Sequence, residues 1–178
     1  MAARRRLMSA PAVATVTATS SVFDEVSELF DAYRAHYGEP ASLADTRRWL
    51  AEQVRSGRFR LAAALVDGRP AGFVTSVTIP ASLTLRTAWL IRDLFVEPRH
   101  RRAGLGRLLL RDVVDAAQAD RAFRVSLQTE AGNRQALALY ESLGFQRIRG
   151  MHQLTLILDW QPGIAGGGRR VAPVARPR

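Results

Sequence analysis

The stretch from residue 88 to residue 128 constrains the fold more than any other part of this chain. Residues 88–96 are largely apolar and stop before Pro98, as a buried strand does. Residues 104–120 then place apolar side chains three and four positions apart, the spacing of an amphipathic helix, and residues 124–128 form the next strand. A strand–helix–strand unit of this length predicts a crossover between two parallel neighbouring strands.

The flanking segments predict antiparallel pairing. Asp67-Gly68 is a hairpin turn signal between strands at 59–66 and 71–79. The other predicted elements are a strand at 14–18, helices at 22–35, 42–55 and 133–143, and closing strands at 145–148 and 153–160. The order β-αα-βββ-α-β-α-ββ predicts an α/β fold: a mixed, mostly antiparallel sheet with one parallel strand pair and helices on both faces.

Charge is concentrated at the two ends of the chain. The net charge is +10, and seven of the 26 arginines lie outside the predicted domain: Arg4, Arg5, Arg6, Arg169, Arg170, Arg176 and Arg178. We expect a disordered basic head at 1–12, one domain at 13–160 and a disordered Gly/Pro/Arg tail at 161–178. Flexible basic tails explain the charge better than a nucleic-acid surface does, so nucleic acid is an unlikely partner.

Composition excludes several classes of site. The chain has no cysteine, so disulfides, zinc–thiolate sites and a cysteine nucleophile are ruled out. Its three histidines fall in different predicted elements, which argues against a metal site. No apolar run reaches the roughly 18 residues of a membrane span, and no signal-peptide pattern follows the first arginines. We therefore expect a cytoplasmic protein that uses no membrane and no metal.

The turn between the strand at 88–96 and the following helix has the features of an anion site. A helix start leaves about four backbone N–H groups without partners and carries a partial positive charge. Gly104 and Gly106 remove Cβ atoms there, so a bulky diphosphate can approach the backbone. Four arginines surround the turn: Arg99, Arg101, Arg102 and Arg107. A P-loop is excluded because the chain has no lysine, and a dinucleotide fingerprint fits poorly because Leu109 stands where its third glycine belongs.

Two motifs carry a family resemblance. The first is Asp93-Leu94-Phe95-Val96-x-Pro98-x-x-Arg101-x-x-Gly104-x-Gly106, and the second is Asn133-x-x-Ala136-x-x-x-Tyr140-x-x-x-Gly144-Phe145. In type, spacing and order they resemble the GNAT superfamily of N-acetyltransferases, most closely its small stand-alone bacterial members. The chain departs from that family at Arg102 and Ala103, where glycine is common. The resemblance implies acetyl-CoA as co-substrate, a primary amine of a small molecule, peptide or protein as acceptor, a splayed parallel strand pair and a possible homodimer.

The resemblance also implies roles for individual residues. Leu94, Phe95 and Val96 would pair with the pantetheine arm, and the N–H of Leu94 or Phe95 would polarise the thioester carbonyl. The glycine turn would hold the pyrophosphate, and Asn133 would hydrogen-bond the cofactor. The full set of implied cofactor-binding residues is Leu94, Phe95, Val96, Arg101, Arg102, Ala103, Gly104, Leu105, Gly106, Arg107, Asn133 and Tyr140.

Three residues are candidates for proton transfer. Tyr140 would protonate the leaving thiolate, because a tyrosine pKa of about 10 suits such a donor; the alternative is a core aromatic packed on Phe145. Asp93 lies in an apolar strand, where burial would raise its pKa toward that of a useful base; the alternative is an ion pair with an arginine. Glu130 and Glu97 are further bases or ordinary loop acids, and water is an alternative to all of them.

The acceptor site is left open between two chemistries. Tyr33 and Tyr37, with His36 and Glu39, form a polar aromatic cluster that suits an amine by cation–π and carboxylate contacts. Arg86, before the strand at 88–96, suits a carboxylate instead. Two other functions stay possible: a non-catalytic module that binds acyl-CoA, and, less favoured, a nucleic-acid binder that uses its basic ends.

Overall fold

The computed structural model describes residues 10–148, 150 and 156. The described residues divide at Gln146/Arg147 into two units, and every helix and strand lies in the first. In the second unit, Arg147, Ile148, Gly150 and Leu156 carry no helix or strand. The elements of the first unit are β1 Ala12–Val16, α1 Phe23–His36, α2 Leu43–Arg55, β2 Phe59–Val66, β3 Arg69–Ala81, β4 Arg86–Val96, α3 Leu105–Ala119, β5 Arg124–Leu127 and α4 Arg134–Glu141.

The strands form one mixed sheet in the order β1-β2-β3-β4-β5. The first three pairings are antiparallel, and β4 pairs with β5 in parallel. This parallel pairing runs only from Ala88 opposite Arg124 to Ile91 opposite Leu127. Beyond Ile91, β4 keeps its partner β3 but has no partner on its other side within the described residues. The two strands therefore splay at the end of β4.

Apolar side chains cover both faces of the sheet, because strand residues alternate between faces. On one face, α3 contributes Leu105, Leu109, Leu110 and Val113, which pack against residues such as Val74 and Trp89. On the other face, α1 and α2 contribute Val26, Phe30 and Leu50, which pack against residues such as Leu61 and Phe73. Helices on both faces were predicted, and the structure confirms them.

Most predicted elements are present with boundaries shifted by one or two residues. β1 begins at Ala12 rather than at residue 14, and β3 begins at Arg69 and reaches Ala81 rather than ending at residue 79. The strand predicted at 145–148 is wrong, because those residues carry no regular structure. Its predicted partner at 153–160 lies, apart from Leu156, outside the described residues. So do residues 1–9 and 161–178, which hold most of the predicted disordered ends. Over the part of the chain that is described, no helix is long and apolar enough to cross a membrane.

Candidate active site

The open edge of β4 is the first component of the site. Leu94, Phe95 and Val96 pair on one side with Val74, Phe73 and Gly72 of β3. On the other side no described strand faces them, since β5 stops at Leu127 opposite Ile91. A strand with unpaired N–H and C=O groups accepts an extended ligand by the same ladder that would pair it with another strand. The splay therefore creates a receptor edge inside the fold.

Gly72 holds the neighbouring strand close to this edge. A Cβ at position 72 would lie 2.6 Å from the carbonyl oxygen of Phe95 and 3.2 Å from the Cα of Val96. Any side chain would therefore push the end of β4 away from β3. The Glu97 N–H donates to the Ala71 carbonyl oxygen at 2.9 Å and continues the close contact. Sequence reasoning missed Gly72, although a glycine inside a strand pattern is a signal of close backbone approach.

The turn after β4 presents a helix start with no side-chain cap. Residues Pro98–His100 form a short 3₁₀ turn, Arg102 has a φ of 64°, and Gly104 has a φ of 81° as the N-cap of α3. Among the described residues, no side chain caps the first N–H groups of α3. A Cβ built on Gly104 would meet no atom within 4 Å, so the space there is open. Free amides, the helix dipole and open space are together features that suit an anion.

Gly106 has a different reason to be glycine from the one predicted. A Cβ at this position would lie 3.2 Å from Cδ2 of Leu139 on α4. The absence of a side chain thus lets α4 pack closely on the first turn of α3. Gly104 is the position whose bare backbone faces open space, as predicted.

Three of the four arginines around the turn contact neighbouring protein groups. Arg101 Nε donates to the Val96 carbonyl oxygen at 3.1 Å, and Arg107 donates to the Ser142 hydroxyl at 2.8 Å. Arg99 pairs with Glu97 at 2.9 Å. Arg101, Arg102 and Arg107 line a groove of about 510 Å³ whose floor includes the open β4 edge. We call it the glycine-loop groove.

The glycine-loop groove collects most of the predicted cofactor-binding residues. All of them line it except Ala103, which is exposed in the loop, and Tyr140. Asn133 is the N-cap of α4, and its side-chain oxygen accepts from the Ala136 N–H at 3.1 Å. Its amide NH₂ can still donate, so capping and ligand binding are compatible. His36, His100 and Gln135 also line the groove and were not predicted to bind the cofactor, although His36 was placed in the cluster expected to bind the acceptor.

Tyr140 lies on α4 behind the groove. Its ring is partly buried and packs edge-on against Phe145, with 6.0 Å between the ring centroids. Burial raises the pKa of Tyr140, and the negative charge of a deprotonated Tyr37 nearby raises it further. The hydroxyl makes no side-chain hydrogen bond to any described residue. Tyr140 thus packs as a core aromatic and still carries a proton that it holds tightly.

A second cavity opens on the α1–α2 face, with a volume of about 630 Å³. Its aromatic wall consists of Phe30, Tyr33, Trp49 and Phe59, and we call it the aromatic cavity. Asp93 lines it and accepts hydrogen bonds from the Tyr33 hydroxyl at 2.9 Å and from the Thr75 hydroxyl. Tyr33 lines both the aromatic cavity and the glycine-loop groove. Desolvation and the charge of Asp93 hold the pKa of Tyr33 far above its usual range, so Tyr33 remains a donor to Asp93.

Sequence comparison gives a family for this arrangement. The sequence profile described as Acetyltransferase (GNAT) family matches residues 23–145, from the first helix to the end of the second motif. The match covers more than half of the chain. The chain belongs to the GNAT acetyltransferase family.

Individual relatives agree with this GNAT assignment. The chain is 30% identical over 125 residues to the uncharacterized N-acetyltransferase YhfO of Bacillus subtilis, covering 70% of this chain and 84% of that protein. Over 79 residues it is 35% identical to ribosomal protein bS18-alanine N-acetyltransferase of Salmonella typhimurium, covering 44% of this chain and 49% of that protein. A crystal structure of a probable acetyltransferase superposes with a TM-score of 0.78 at 26% identity, covering 84% of this chain and 99% of that one.

The GNAT domain does not bring all the predicted catalytic and acceptor residues together. Tyr37 lines the glycine-loop groove and is 64% exposed. Glu97 is paired with Arg99, and the exposed Glu130 lines neither cavity. Arg86 also lines neither cavity. It donates to the carbonyl oxygens of Arg121 and Ala122, so it secures the turn before β5.

Proposed function

We propose that this GNAT domain transfers an acetyl group from acetyl-CoA to a primary amine, and that the amine attacks directly while both substrates are bound. The observation that carries the proposal is the contiguity of three features in one groove. An open strand edge, an uncapped helix start and three arginines line the same space. An extended amide-bearing arm and a diphosphate match these features in that order.

The residues present fit acetyl-CoA chemically. Leu94, Phe95 and Val96 offer ladder hydrogen bonds to the two amides of a pantetheine arm. The N–H groups from Leu105 to Arg107 and the guanidinium groups around them suit the pyrophosphate, and the open space at Gly104 admits it. When bound, acetyl-CoA supplies an acetyl thioester. An N–H of Leu94 or Phe95 on the open edge would polarise its carbonyl.

Proton transfer falls to groups on either side of the β4 edge. Tyr140 is protonated at neutral pH, as an ordinary tyrosine is, and burial raises its pKa further; it would give its proton to the departing thiolate. Asp93 stands on the opposite side, in the aromatic cavity, where an attacking amine must lose a proton. Each carboxylate oxygen of Asp93 has a hydroxyl donor already, and each still has a lone pair for an ammonium N–H or a bridging water.

Coenzyme binding and turnover test the proposal separately. Acetyl-CoA at about 100 times its dissociation constant should raise the melting temperature by about 5–10 °C, whereas adenosine at the same concentration should not. A panel of amines should then release CoA only when acetyl-CoA and a suitable acceptor are both present. No stabilisation by acetyl-CoA would refute the proposed groove. Stabilisation without release of CoA by any amine would identify a binding module instead.

A further inference from the structure

A bulge in β4 places two opposite charges side by side in the aromatic cavity. Ile91 pairs with Ser76 and Asp93 pairs with Thr75, so Arg92 has no partner on β3. In a regular strand, consecutive side chains point to opposite faces of the sheet. Here Arg92 and Asp93 both line the same cavity, because a bulge re-aims the side chains around it. Consecutive residues thus offer one guanidinium and one carboxylate to a single ligand.

The other charged residues of the cavity are already engaged. Arg34 contacts Asp31 at 3.3 Å and Thr46 at 2.9 Å. Asp45 accepts from the Ser42 hydroxyl and pairs with Arg48. In contrast, Arg92 makes no hydrogen bond or ion pair with any described residue, and the carboxylate of Asp93 is held only by two hydroxyl groups. The charges that remain for a ligand are one positive and one negative.

The rest of the cavity is mostly apolar and aromatic, and Thr46 and Gln53 are its uncharged polar residues besides Tyr33. Phe30 lies between Trp49 and Phe73, with ring centroids 6.0 Å and 5.1 Å away, and Trp49 also meets Phe59 edge-on. The side chain of Trp49 remains 45% exposed, so its ring has a surface that no protein group covers. Such a wall binds an apolar body.

We propose that the acceptor is a free α-amino acid with an apolar or aromatic side chain. Its ammonium group binds Asp93, its carboxylate binds Arg92, and its side chain packs against Trp49 and Phe59. This inference rests on the proposed acetyl transfer and adds the identity of the second substrate. A polyamine or an aminoglycoside carries several positive charges and no carboxylate, so it would leave Arg92 unpaired and repelled.

The reaction balances with this placement. The ammonium loses a proton to Asp93 or to water beside it, the nitrogen forms a bond to the acetyl carbon, and the carbon–sulfur bond breaks. The sulfur takes the proton of Tyr140, and the second proton of the nitrogen passes through water to the Tyr140 oxygen as the amide forms, which restores the donor. The product amide is uncharged at nitrogen, so it loses its attraction to Asp93. The acetylated product should therefore dissociate from the cavity more readily than the substrate does.

The test compares ligands that differ only at the carboxylate. L-Phenylalanine and L-phenylalaninamide share the amine and the ring, but only the first can pair with Arg92. Each is titrated into the protein calorimetrically in the presence and absence of CoA, and each is assayed for CoA release from acetyl-CoA. We expect phenylalanine to bind at least tenfold more tightly, and spermidine and kanamycin to release CoA at least tenfold more slowly than phenylalanine.

A variant pair assigns the effect to Arg92. Arg92→Gln should weaken phenylalanine binding at least tenfold and leave the amide unchanged, whereas Arg55→Gln, an exposed change on α2 outside both cavities, should alter neither. Equal binding of acid and amide by the unaltered protein, or faster turnover of spermidine or kanamycin, would overturn the inference while acetyl transfer stands. If acetyl-CoA does not bind, the proposed function fails, and the titration without CoA still decides whether the cavity recognises an amino acid.

Discussion

The glycine-loop groove and the aromatic cavity meet at Tyr33 but offer their proposed ligands different kinds of contact. The groove is lined largely by one continuous segment, from Leu94 to Arg107, with contributions from α1 and α4. Its donors are mainly backbone N–H groups. The cavity is lined by side chains from α1, α2, β2, β3 and β4, and its charges belong to individual residues. Contacts made by backbone groups survive many substitutions of side chains. Contacts made by side chains are lost or altered when those residues are substituted.

This difference fits an enzyme with one fixed co-substrate and one variable acceptor. A glycine turn and an open strand edge depend on φ angles and strand pairing, which many sequences can provide. The pair Arg92 and Asp93 depends on a single bulge and on two particular side chains. The two regions should therefore respond separately to substitution, and the following measurements test that separation.

Tyr140→Phe should produce the largest effect while leaving both binding regions intact. Removing the hydroxyl removes the proposed proton donor, so kcat should fall by about 10²–10⁴-fold. The dissociation constant for acetyl-CoA should change less than about twofold, because Phe keeps the ring and the lost hydroxyl is needed only when the thiolate departs. The melting temperature should hold, since no described residue hydrogen-bonds to that hydroxyl. Tyr37→Phe is the matched control, and its kcat should stay within a few-fold of the unaltered protein.

An unchanged kcat in Tyr140→Phe would remove Tyr140 from the chemistry. Its ring would then serve only the packing that the contact with Phe145 shows.

Gly104→Val should strongly weaken coenzyme binding. Its loss of thermal stability should be no greater than that of a matched glycine variant elsewhere in the chain. Gly68, in the β2–β3 turn, has the same φ of 81° and equally open surroundings, so Gly68→Val imposes matched backbone strain of about 1–3 kcal/mol. Both variants should lose similar thermal stability. Only Gly104→Val should weaken acetyl-CoA binding, by at least 30-fold, as judged by calorimetry. Equal coenzyme affinity in the two variants would mean that the diphosphate does not approach the backbone at Gly104.

The sequence predicted those parts of the fold that depend on local patterns. The apolar spacing of α3 and the glycine at its start are properties of neighbouring residues, so the helix and its open N-terminus followed directly. The bulge at Arg92 is different, because it arises from how β4 pairs with Thr75 and Ser76 of another strand. The strand predicted at 145–148 depends on pairing too, and among the described residues no strand pairs with that segment.

The candidate site shows the same division. The motif residues around Gly104 line one groove, as their contiguity in sequence suggests, and their binding of acetyl-CoA stays a prediction. Tyr33 and Asp93 were each identified, but their hydrogen bond joins residues 60 positions apart and no periodicity reveals it. Arg86 was considered as a residue that binds a carboxylate of the acceptor. In the structure its guanidinium instead donates hydrogen bonds to backbone carbonyl oxygens. Arg92, which has no such partner, was not singled out, because a regular strand would have placed it on the face opposite Asp93.

Tyr33→Phe should measure how far the two regions are independent. The change removes the hydroxyl that donates to Asp93 at 2.9 Å, and a hydrogen bond to a charged group is worth about 1.5–3 kcal/mol. Part of this loss is offset by water or by the acceptor ammonium, so we expect the acceptor KM to rise about fivefold. The dissociation constant for acetyl-CoA should change less than twofold, because Phe keeps the ring that lines the groove. Comparable losses of affinity for the acceptor and for acetyl-CoA would show that Tyr33 couples the two regions and that they are not independent.

The smallest expected effect is in the alkaline pH profile. Burial, and to a lesser extent the charge of Tyr37, raises the pKa of Tyr140 above its usual value of about 10. A donor acts in its protonated form, so raising the pKa extends the active range to higher pH. At saturating concentrations of both substrates, kcat should therefore show no decline between pH 8 and about pH 9.5, with circular dichroism confirming that the protein stays folded. Tyr37→Phe removes the minor cause and keeps the burial, so it should move the eventual decline only slightly downward. A decline that begins below about pH 9 would assign proton donation to a group other than Tyr140 and would shift the chemistry away from α4.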